Sequence, residues 1–348
     1  MLTLVPGGMG GSETYARELT RLLSGVPDLP AIAYVPRSAA GFSEGIEEVV
    51  VQGIPGGPSN SQRIATVARA TLLAASIRRQ MREAQVVHYP FTVPVPRPSR
   101  GQAFVQSLLD IQHIDLPDLF SGVERAYRRR FYEGAAAKAD AIVTISHFAK
   151  ERMVELLNLP ADKIVVAHLG VNADEFVPNL GPREEFVLYP ARGWRHKNHA
   201  RLIEAMRVLR RDRPGLRLVL TGGALDSLGA LPDWVDRRGL VSLEELRDLY
   251  RRASALVFPS LYEGFGLPPL EAMASGCPVA ASNSGSIPEV CGDAAVLFDA
   301  RDVDAIAAGV QAALERAPEL TVAGLEQVKK FTWKRCRDTH VDLYRSLA

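Results

Sequence analysis

The chain has 348 residues, and its 41 basic side chains nearly balance its 40 acidic ones, which leaves a formal net charge of +1. A chain of this length exceeds what one hydrophobic core usually organises, so we expect two domains of roughly 150 to 200 residues. The balanced charge and the 47% content of hydrophobic residues are typical of an ordinary globular protein and give no indication of nucleic-acid binding.

The cysteines and the hydropathy exclude several further classes. Cys277, Cys291 and Cys336 form no CxxC pair, which argues against a disulfide framework and against a zinc site. A reducing, cytoplasmic compartment is the expectation. No apolar run approaches the roughly 20 residues of a membrane span, and the N-terminus lacks the layout of a signal peptide. Any contact with a membrane is therefore expected to be peripheral.

Short β-branched or apolar segments alternate with longer amphipathic ones, which predicts an α/β fold of parallel sheets covered by helices. Strands are predicted at residues 2–6, 84–90, 103–109, 141–146, 163–169, 186–191, 216–222, 255–260, 277–282 and 295–299. Helices are predicted at residues 12–24, 61–83, 122–138, 147–157, 198–212, 243–252, 268–275 and 302–315.

The stretch "HLGVNADEFVPNLGPREE" (168–185) is rich in Gly, Pro, Asn and acidic residues and is followed at once by a strand. We therefore place the boundary there and predict an N-terminal, acceptor-binding domain over 1–172 and a C-terminal, nucleotide-sugar-binding domain over 173–325. Residues 326–348 are predicted as a terminal helix that returns to the N-terminal domain. Each domain is expected to be doubly wound, with ligands bound beyond the carboxyl ends of its strands.

The segment "LYEGFGLPPLEAMASGCPVAAS" (261–282) predicts a loop and then a helix, because prolines stand at its first helical positions and a glycine where it should stop. Pro268 and Pro269 have no N–H, so the free amides are those of Gly266, Leu267 and Leu270. Such amides, together with the helix dipole, attract phosphate.

Two carboxylates, Glu263 and Glu271, flank this predicted phosphate site. Carboxylates accept strong hydrogen bonds from sugar hydroxyls, so a diphosphate with a hydroxyl-rich group at each end, a nucleotide sugar, is the predicted ligand. Gly264 and Gly266 allow the ligand to approach the backbone. Each glutamate alone has a second explanation, a solvated loop residue for Glu263 and a surface helix residue for Glu271.

The longer segment "PSLYEGFGLPPLEAMASGCPVAASNSGSIPEV" (259–290) resembles the signature of the family-4 retaining glycosyltransferases, whose GT-B fold has two doubly wound Rossmann-like domains facing a central cleft. The E-x7-E spacing matches Glu263 and Glu271. The resemblance implies that Glu263 contacts the transferred sugar and Glu271 the ribose, with Gly264, Phe265, Gly266 and Leu267 in the donor site. It covers essentially the whole chain and is strongest from 186 to 300.

A second constellation, "FVLYPARGWRHKNHARLIEAM" (186–206), places Arg192 and Lys197 after a predicted strand. Both cations match the spacing of the resembled family and are predicted to stabilise the departing diphosphate. Because they supply the positive charge, we expect neither a metal nor another cofactor. A solvated charge cluster is the alternative. The pattern "YPA..W.HKNH" resembles a subgroup that contains many mannosyltransferases.

The N-terminal half resembles the family more loosely. "LVPGGMGGSETYARELTRLL" (4–23) lacks the third glycine of GxGxxG, where Glu13 stands, so it does not predict a dinucleotide site. The resemblance gives Gly10 and Gly11 contacts with the donor diphosphate and the acceptor. Leu109 stands where many relatives have a donor-contacting histidine, so His113 or Asp110 is predicted to take over polar contacts. A histidine merely satisfied at the start of a loop is the alternative for His113.

Three weaker predictions complete the site. Leu240 and Val241 lie in a segment that resembles the one whose backbone meets the nucleobase, although Val241 could equally be core. The arginines of "RAYRRRFYEG" (125–134) could favour an anionic acceptor or lipid surface, the alternative being a solvated helix face. His88, at a strand end, is a cleft candidate or a core histidine.

The predicted function is a retaining hexosyltransferase. A hexose, with mannose the best candidate, moves from a nucleoside-diphosphate sugar to a hydroxyl of a glycan, a lipid-linked sugar or a small natural product. Front-face attack is favoured over a covalent intermediate, because the latter needs a second carboxylate about 5 to 5.5 Å from the first across the anomeric carbon. The alternatives are a non-catalytic sugar-nucleotide-binding protein and a GT-B nucleotide-sugar epimerase.

Overall fold

A computed structural model describes residues 1–57, 59–172 and 174–348. The chain forms two compact units, one of Met1–Leu169 with Trp333–Ala348 and one of Gly170–Thr332. The first unit ends at Leu169, three residues before the predicted boundary at residue 172. Ala173, the first residue of the predicted second domain, lies outside the described residues. The returning helix begins at Trp333 and not at residue 326, because a separate helix of the second unit occupies residues up to 328.

Every strand pair in both units is parallel. The strands are β1 (Ile32–Pro36), β2 (Glu47–Val51), β3 (Val86–Tyr89), β4 (Ala103–Ser107), β5 (Ala141–Thr144), β6 (Ile164–Val166), β7 (Glu184–Pro190), β8 (Arg217–Thr221), β9 (Val235–Gly239), β10 (Ala253–Phe258), β11 (Val279–Ser282) and β12 (Val296–Phe298). In the first unit, β1 pairs with β2, and a four-stranded sheet has the order β3-β4-β5-β6. The second unit has one six-stranded sheet of order β12-β11-β10-β7-β8-β9.

Helices connect the strands and cover the sheets, as parallel pairing requires. They are α1 (Gly11–Leu23), α2 (Asn60–Leu72), α3 (Ala74–Gln80), α4 (Gln112–Asp115), α5 (Gly122–Arg128), α6 (Gly134–Ala136), α7 (His147–Leu157), α8 (His199–Leu209), α9 (Leu243–Arg252), α10 (Leu267–Ala274), α11 (Ile287–Cys291), α12 (Val303–Glu315), α13 (Ala317–Val328) and α14 (Trp333–Leu347). Within the described ranges, no helix combines the length and apolar character needed to cross a membrane.

The predicted first strand, residues 2–6, is wrong. The amide of Leu4 donates to the carbonyl of Met1 at 3.1 Å, so these groups form a turn and no ladder. Leu4 is nevertheless fully buried, which explains the apolar pattern. The predicted helix over 61–83 is divided at Leu73, and the one over 122–138 contains a wider π-helical segment, Arg129–Glu133. Strands β1, β2 and β9 were not predicted, and β9 reads VDRRG because it lies at a sheet edge.

A buried polar chain holds α14 in the first unit. The hydroxyl of Tyr15 lies 2.8 Å from both Ser107 Oγ and His340 Nε2. His88 continues the chain, with Nε2 2.8 Å from Ser107 Oγ and Nδ1 2.6 Å from the hydroxyl of Tyr344. His88 is therefore a partner inside this unit, the core alternative of the sequence analysis. Because α14 supplies His340 and Tyr344, its place is fixed by directional bonds as well as by apolar burial.

We predict that acid weakens this unit. Burial lowers the pKa of His340 to about 4, whereas an unfolded histidine titrates near 6.5. The unfolded state therefore binds more protons than the folded state below about pH 6.5. The contribution of this group to the free energy of unfolding is greatest above that pH, and it decreases by about 2 kcal/mol when the pH is lowered to 5. Burial also lowers the pKa of His88 well below its usual value, which adds to the effect.

Urea unfolding at pH 7 and pH 5 measures this loss in the native chain and in a His340→Gln variant. The variant should lose a substantial part of the pH dependence, whereas Thr339→Ala, at a half-buried and non-titrating position of α14, should keep all of it. Equal pH dependence in the native chain and His340→Gln would contradict the assignment.

Candidate functional site

The predicted donor residues gather at the carboxyl edge of the six-stranded sheet. Strand β7 pairs with β10 on one side and with β8 on the other, and β9 follows β8. The segments that leave these strands, residues 191–198, 259–266, 222–224 and 240–241, therefore emerge at the same edge. In open parallel sheets this edge is where ligands bind.

Lys197 and Glu263 form the central contact of this edge. The Nζ of Lys197 lies 2.5 Å from Oε1 of Glu263, and each side chain is only 14% exposed. The alternatives were a solvated charge cluster for Lys197 and a solvated loop residue for Glu263. Neither describes two side chains that are paired and largely shielded from water. Lys197 Nζ also lies 5.7 Å from the centre of the Phe258 ring, on the strand that leads to Glu263.

Backbone geometry places Lys197 there. A 3-10 turn, Arg195–Lys197, ends at Asn198, which adopts the left-handed conformation (φ 63°, ψ 31°). The side-chain amide of Asn198 donates to the carbonyls of Pro259 (3.1 Å) and Ala300 (2.7 Å), and the amide of Leu261 donates to the carbonyl of His196 at 2.8 Å. The two loops that carry Lys197 and Glu263 are thus bonded to each other.

Residues 285 and 286 hold the backbone of Glu263. The Ser286 amide donates to the Glu263 carbonyl at 3.2 Å, and Ser286 Oγ lies 3.0 Å from that carbonyl and 2.5 Å from the carbonyl of Phe265. Gly285 has φ +64°, and a Cβ added there would stand 2.7 Å from the Glu263 carbonyl oxygen. Both residues belong to the segment 259–290, and their support of Glu263 becomes visible only in the folded structure.

Helix α10 presents the predicted anion site. It begins after Gly266, whose φ of 127° favours glycine, and no side chain caps its first amides. Gly264 is buried in the same loop, and Leu267 opens the helix half-buried. The Phe265 side chain is 3% exposed and packs against Phe331, with ring centres 5.8 Å apart, so only its backbone can face a ligand.

Glu271 is half-buried on α10 and not a freely solvated helix residue. The hydroxyl of Tyr250 donates to its Oε2 at 2.8 Å, and burial raises the pKa of this carboxyl although Tyr250 and Arg247 act in the opposite direction. Tyr250 is fully buried. No local sequence pattern identifies Tyr250 as the partner of Glu271, because the two residues lie 21 apart along the chain.

Arg192 leaves β7 beside the nucleobase candidates. A Cβ on Gly223 would stand 3.9 Å from Arg192 Cζ and 3.8 Å from a methyl carbon of Leu240, so these two side chains flank that glycine. Leu240 is 78% exposed and Val241 is half-buried. The guanidinium of Arg192 lies 5.3 Å from the ring centre of Trp194, which is 49% exposed. An apolar, open surface therefore adjoins a cation.

Two neighbouring histidines contribute no charge near neutral pH. Burial lowers the pKa of His196 to about 4, and the charge of Lys197 acts in the same direction. Burial likewise lowers the pKa of His199 to about 4; its ring centre lies 4.8 Å from that of Tyr189. The partly buried positive charge of the edge therefore comes from Arg192 and Lys197, whereas Arg195 of the same loop is exposed.

The candidates of the first unit are placed differently. His113 is 3% exposed, its Nε2 lies 3.1 Å from Glu133 Oε1, and burial lowers its pKa. Its Nε2 is thus bonded inside the unit, whereas its buried Nδ1 has no partner among the described residues, so the contact with ligand stays a prediction. Asp110 accepts from the amide of Gln112 at 3.1 Å. A Cβ added at Gly10 or Gly11 would meet no atom of the protein within 4 Å, so packing in this unit does not require glycine at residue 11.

Two sequence profiles match the chain in succession. "Glycosyltransferase Family 4" matches residues 9–175, and "Glycosyl transferases group 1" matches residues 171–326. An O-antigen chain mannosyltransferase B of Escherichia coli is 33% identical in an alignment of length 274 that covers 72% of this chain and 72% of that protein. The chain belongs to the family-4 glycosyltransferases.

Solved structures show the fold of this family-4 glycosyltransferase. Sucrose-phosphate synthase from Thermosynechococcus elongatus matches with a TM-score of 0.80 at 21% identity, over 97% of this chain and 94% of that one. Anabaena HepE in complex with UDP-glucose matches with a TM-score of 0.71 at 16% identity, over 97% and 96%. The predicted GT-B fold with two Rossmann-like domains is confirmed, and the family membership confirms the predicted hexosyltransferase enzyme.

We predict that Gly285→Ala lowers kcat about 10- to 100-fold, because a Cβ that displaces the Glu263 backbone misplaces its carboxylate. Gly229→Ala is the matched control, since Gly229 also has a positive φ (+69°) but open space around it. Both variants should lose about 1 to 2 kcal/mol of stability through backbone strain. Steady-state kinetics with the predicted nucleotide-sugar donor measures the difference, and equal kcat values in the two variants would contradict it.

Proposed function

We propose that this glycosyltransferase moves a hexose, with mannose the first candidate, from a nucleoside-diphosphate sugar to an acceptor hydroxyl with retention at the anomeric carbon. The Lys197–Glu263 pair at the carboxyl edge of the sheet carries the proposal, because it places a cation for a diphosphate directly beside a carboxylate for a sugar. Further support comes from the E. coli mannosyltransferase and from the UDP-glucose bound to HepE.

In this proposal the diphosphate is held from three sides. Arg192 and Lys197 supply charge, and the first amides of α10 supply hydrogen bonds and the positive end of the helix dipole. Negative charge grows on the departing phosphate, so donors that are already fixed in place stabilise the transition state more than the bound donor. In the proposed reaction, these cations neutralise the charge of the diphosphate in place of a divalent metal, so no metal is needed.

Retention is assigned to front-face attack. Glu263 already binds Lys197, so its carboxylate is committed to an ion pair and to the sugar hydroxyls and does not act as a nucleophile. The anomeric carbon–oxygen bond to phosphate breaks, the acceptor oxygen bonds to the same face, and the acceptor proton passes to the departing phosphate. Atoms and charges balance without a covalent enzyme intermediate.

The remaining residues have supporting roles. Glu271, positioned by Tyr250, accepts from the ribose hydroxyls, and Leu240 and Val241 meet the base beside Trp194. In the first unit we assign donor and acceptor contacts to the loop of Gly10 and Gly11, which has open space, and polar contacts with the acceptor to Asp110. The acceptor is a glycan, a lipid-linked sugar or a small natural product, and contact with a membrane is peripheral.

We expect one nucleotide sugar to raise the melting temperature of the chain. A ligand that binds only the folded state stabilises it by about 2.7 kcal/mol at a hundredfold excess over Kd. A thermal-shift panel of UDP, GDP, ADP and TDP sugars, mannose included, identifies the base and the sugar. No shift with any of them would contradict a nucleotide-sugar donor. Release of labelled product only when acceptor is present separates transfer from binding alone and from epimerisation.

Lys197→Ala should lower kcat by about 100-fold or more, measured with that donor in EDTA, because it removes a charge that stabilises the departing diphosphate. Lys329→Ala is the control: it breaks an ion pair with Glu326 of the same 2.5 Å length, but with side chains 68% and 66% exposed, and should leave kcat unchanged. A melting temperature near that of the native chain shows that Lys197→Ala is folded. Near-native kcat in Lys197→Ala would remove its role.

A further inference from the structure

The first unit contains a cavity of about 250 Å³ that the donor site does not use. Its walls come from the N-terminal segment, the faces of α2 and α5, and the segment after β3. Leu4, Phe91 and Val93 form a buried apolar floor, with exposed fractions of 0%, 6% and 8%. Such a floor fits hydrocarbon better than a polyol.

A polar group on this wall has no protein partner. Thr66 of α2 is 2% exposed, and its Oγ1 makes no hydrogen bond to any described residue. A threonine inside a helix commonly bonds the carbonyl one turn earlier, as Thr71 does to Val67 at 2.8 Å. Buried polar groups are nearly always paired, so the lone hydroxyl of Thr66 offers a hydrogen bond that a ligand in this cavity can complete.

Two cations, Arg63 and Arg128, line the same cavity together with one acid, Glu124. The Glu124 carboxylate accepts from the amide and the hydroxyl of Ser121 at 2.9 and 2.8 Å, and these bonds, with the charge of Arg128, lower its pKa.

Both arginines lie near the phenol of Tyr127: burial raises its pKa to about 12, and the charges of the two arginines act in the opposite direction. Arg128 also stacks on the rings of Phe120 and Tyr132, 4.5 and 5.1 Å from their centres, which fixes its position.

The rim continues the apolar wall outward. Ile64 on α2 and Val123 on α5 line the cavity, yet they are 66% and 81% exposed. The cavity is also smaller than the roughly 300 to 1,000 Å³ of common small-molecule sites. It therefore admits only the first carbons of an apolar chain, and the rim supports the carbons beyond them.

We propose that this cavity binds the anionic, apolar end of the acceptor, a phosphate joined to an isoprenoid or alkyl chain. The phosphate pairs with Arg63 and Arg128, an oxygen next to it meets Thr66, and the chain runs over the floor to Ile64 and Val123. The inference rests on the proposed glycosyl transfer, since it chooses the lipid-linked class among its acceptors. A free phospholipid headgroup shares this chemistry, and the experiment separates the two.

The test is binding of farnesyl phosphate, below its micelle-forming concentration, to the full chain by calorimetry, with farnesol and inorganic phosphate as partial probes. We expect saturable binding of farnesyl phosphate and at least tenfold weaker binding of each partial probe. Arg63→Gln/Arg128→Gln should weaken binding at least tenfold, whereas Arg69→Gln/Arg125→Gln, with the same charge change on the same helices outside the cavity, should stay within twofold.

A second pair of variants leaves Arg128 and its stacking contacts unchanged. Val123→Glu puts a repelling charge at the exposed rim and should weaken binding at least tenfold, whereas Leu72→Glu, at an 84% exposed position of α2 outside the cavity, should not. An equal loss of affinity in test and control variants, or binding only to phosphatidylglycerol vesicles, would show a general attraction to anionic lipid. Either result would overturn the proposal that the cavity binds a lipid phosphate.

The outcome is distinct from that of the donor proposal. Every variant should keep the thermal shift with the nucleotide-sugar donor. If that shift is intact and farnesyl phosphate does not bind the native chain, the lipid-phosphate inference falls and the proposed transfer stands. If no nucleotide sugar produces a shift, the proposed transfer falls.

Discussion

The pairing of β7 with β10 is the constraint on which the second unit depends. Leu188 is in register with Leu256 at the centre of the six-stranded sheet, and both are fully buried. Because the strands are parallel, their next residues leave at the same edge, one carrying Arg192 and Lys197 and the other Glu263. Residues 66 apart along the chain thereby come into ion-pair contact, and the bond from Asn198 to Pro259 locks the two loops together.

The ion pair at the centre of this edge carries no net charge. Lys197 and Glu263 neutralise each other while largely shielded from water, so neither is left as an unpaired buried charge. The nearby His196 and His199 are held neutral by burial. In the proposed reaction, Lys197 contacts both the diphosphate and Glu263, and the carboxylate keeps its bond to Lys197 while it accepts from sugar hydroxyls.

In the first unit, buried polar groups hold the terminal helix α14 in place. Its polar chain through Tyr15, Ser107 and His88 is closed by α14, so the end of the chain completes a core begun at its start. Its cavity, in contrast, is lined by Thr66, whose hydroxyl has no partner among the described residues, and by two arginines and one glutamate. We propose that the acceptor completes the hydrogen bonding of Thr66.

The sequence by itself determined the alternation of strands and helices, the family, and the loop–helix element around Glu263, because these depend on local periodicity, on Pro and Gly positions and on one continuous motif. It did not determine which groups pair at long range. Tertiary structure alone decided four features: the turn at Leu4, the hydrogen bond from Tyr250 to Glu271, the hydrogen bonds from Ser286 to the Glu263 carbonyl, and the cavity beside Thr66. A turn, a hydrogen bond or a cavity depends on distances between atoms of separate segments, and a local pattern of residue types carries no information about those distances.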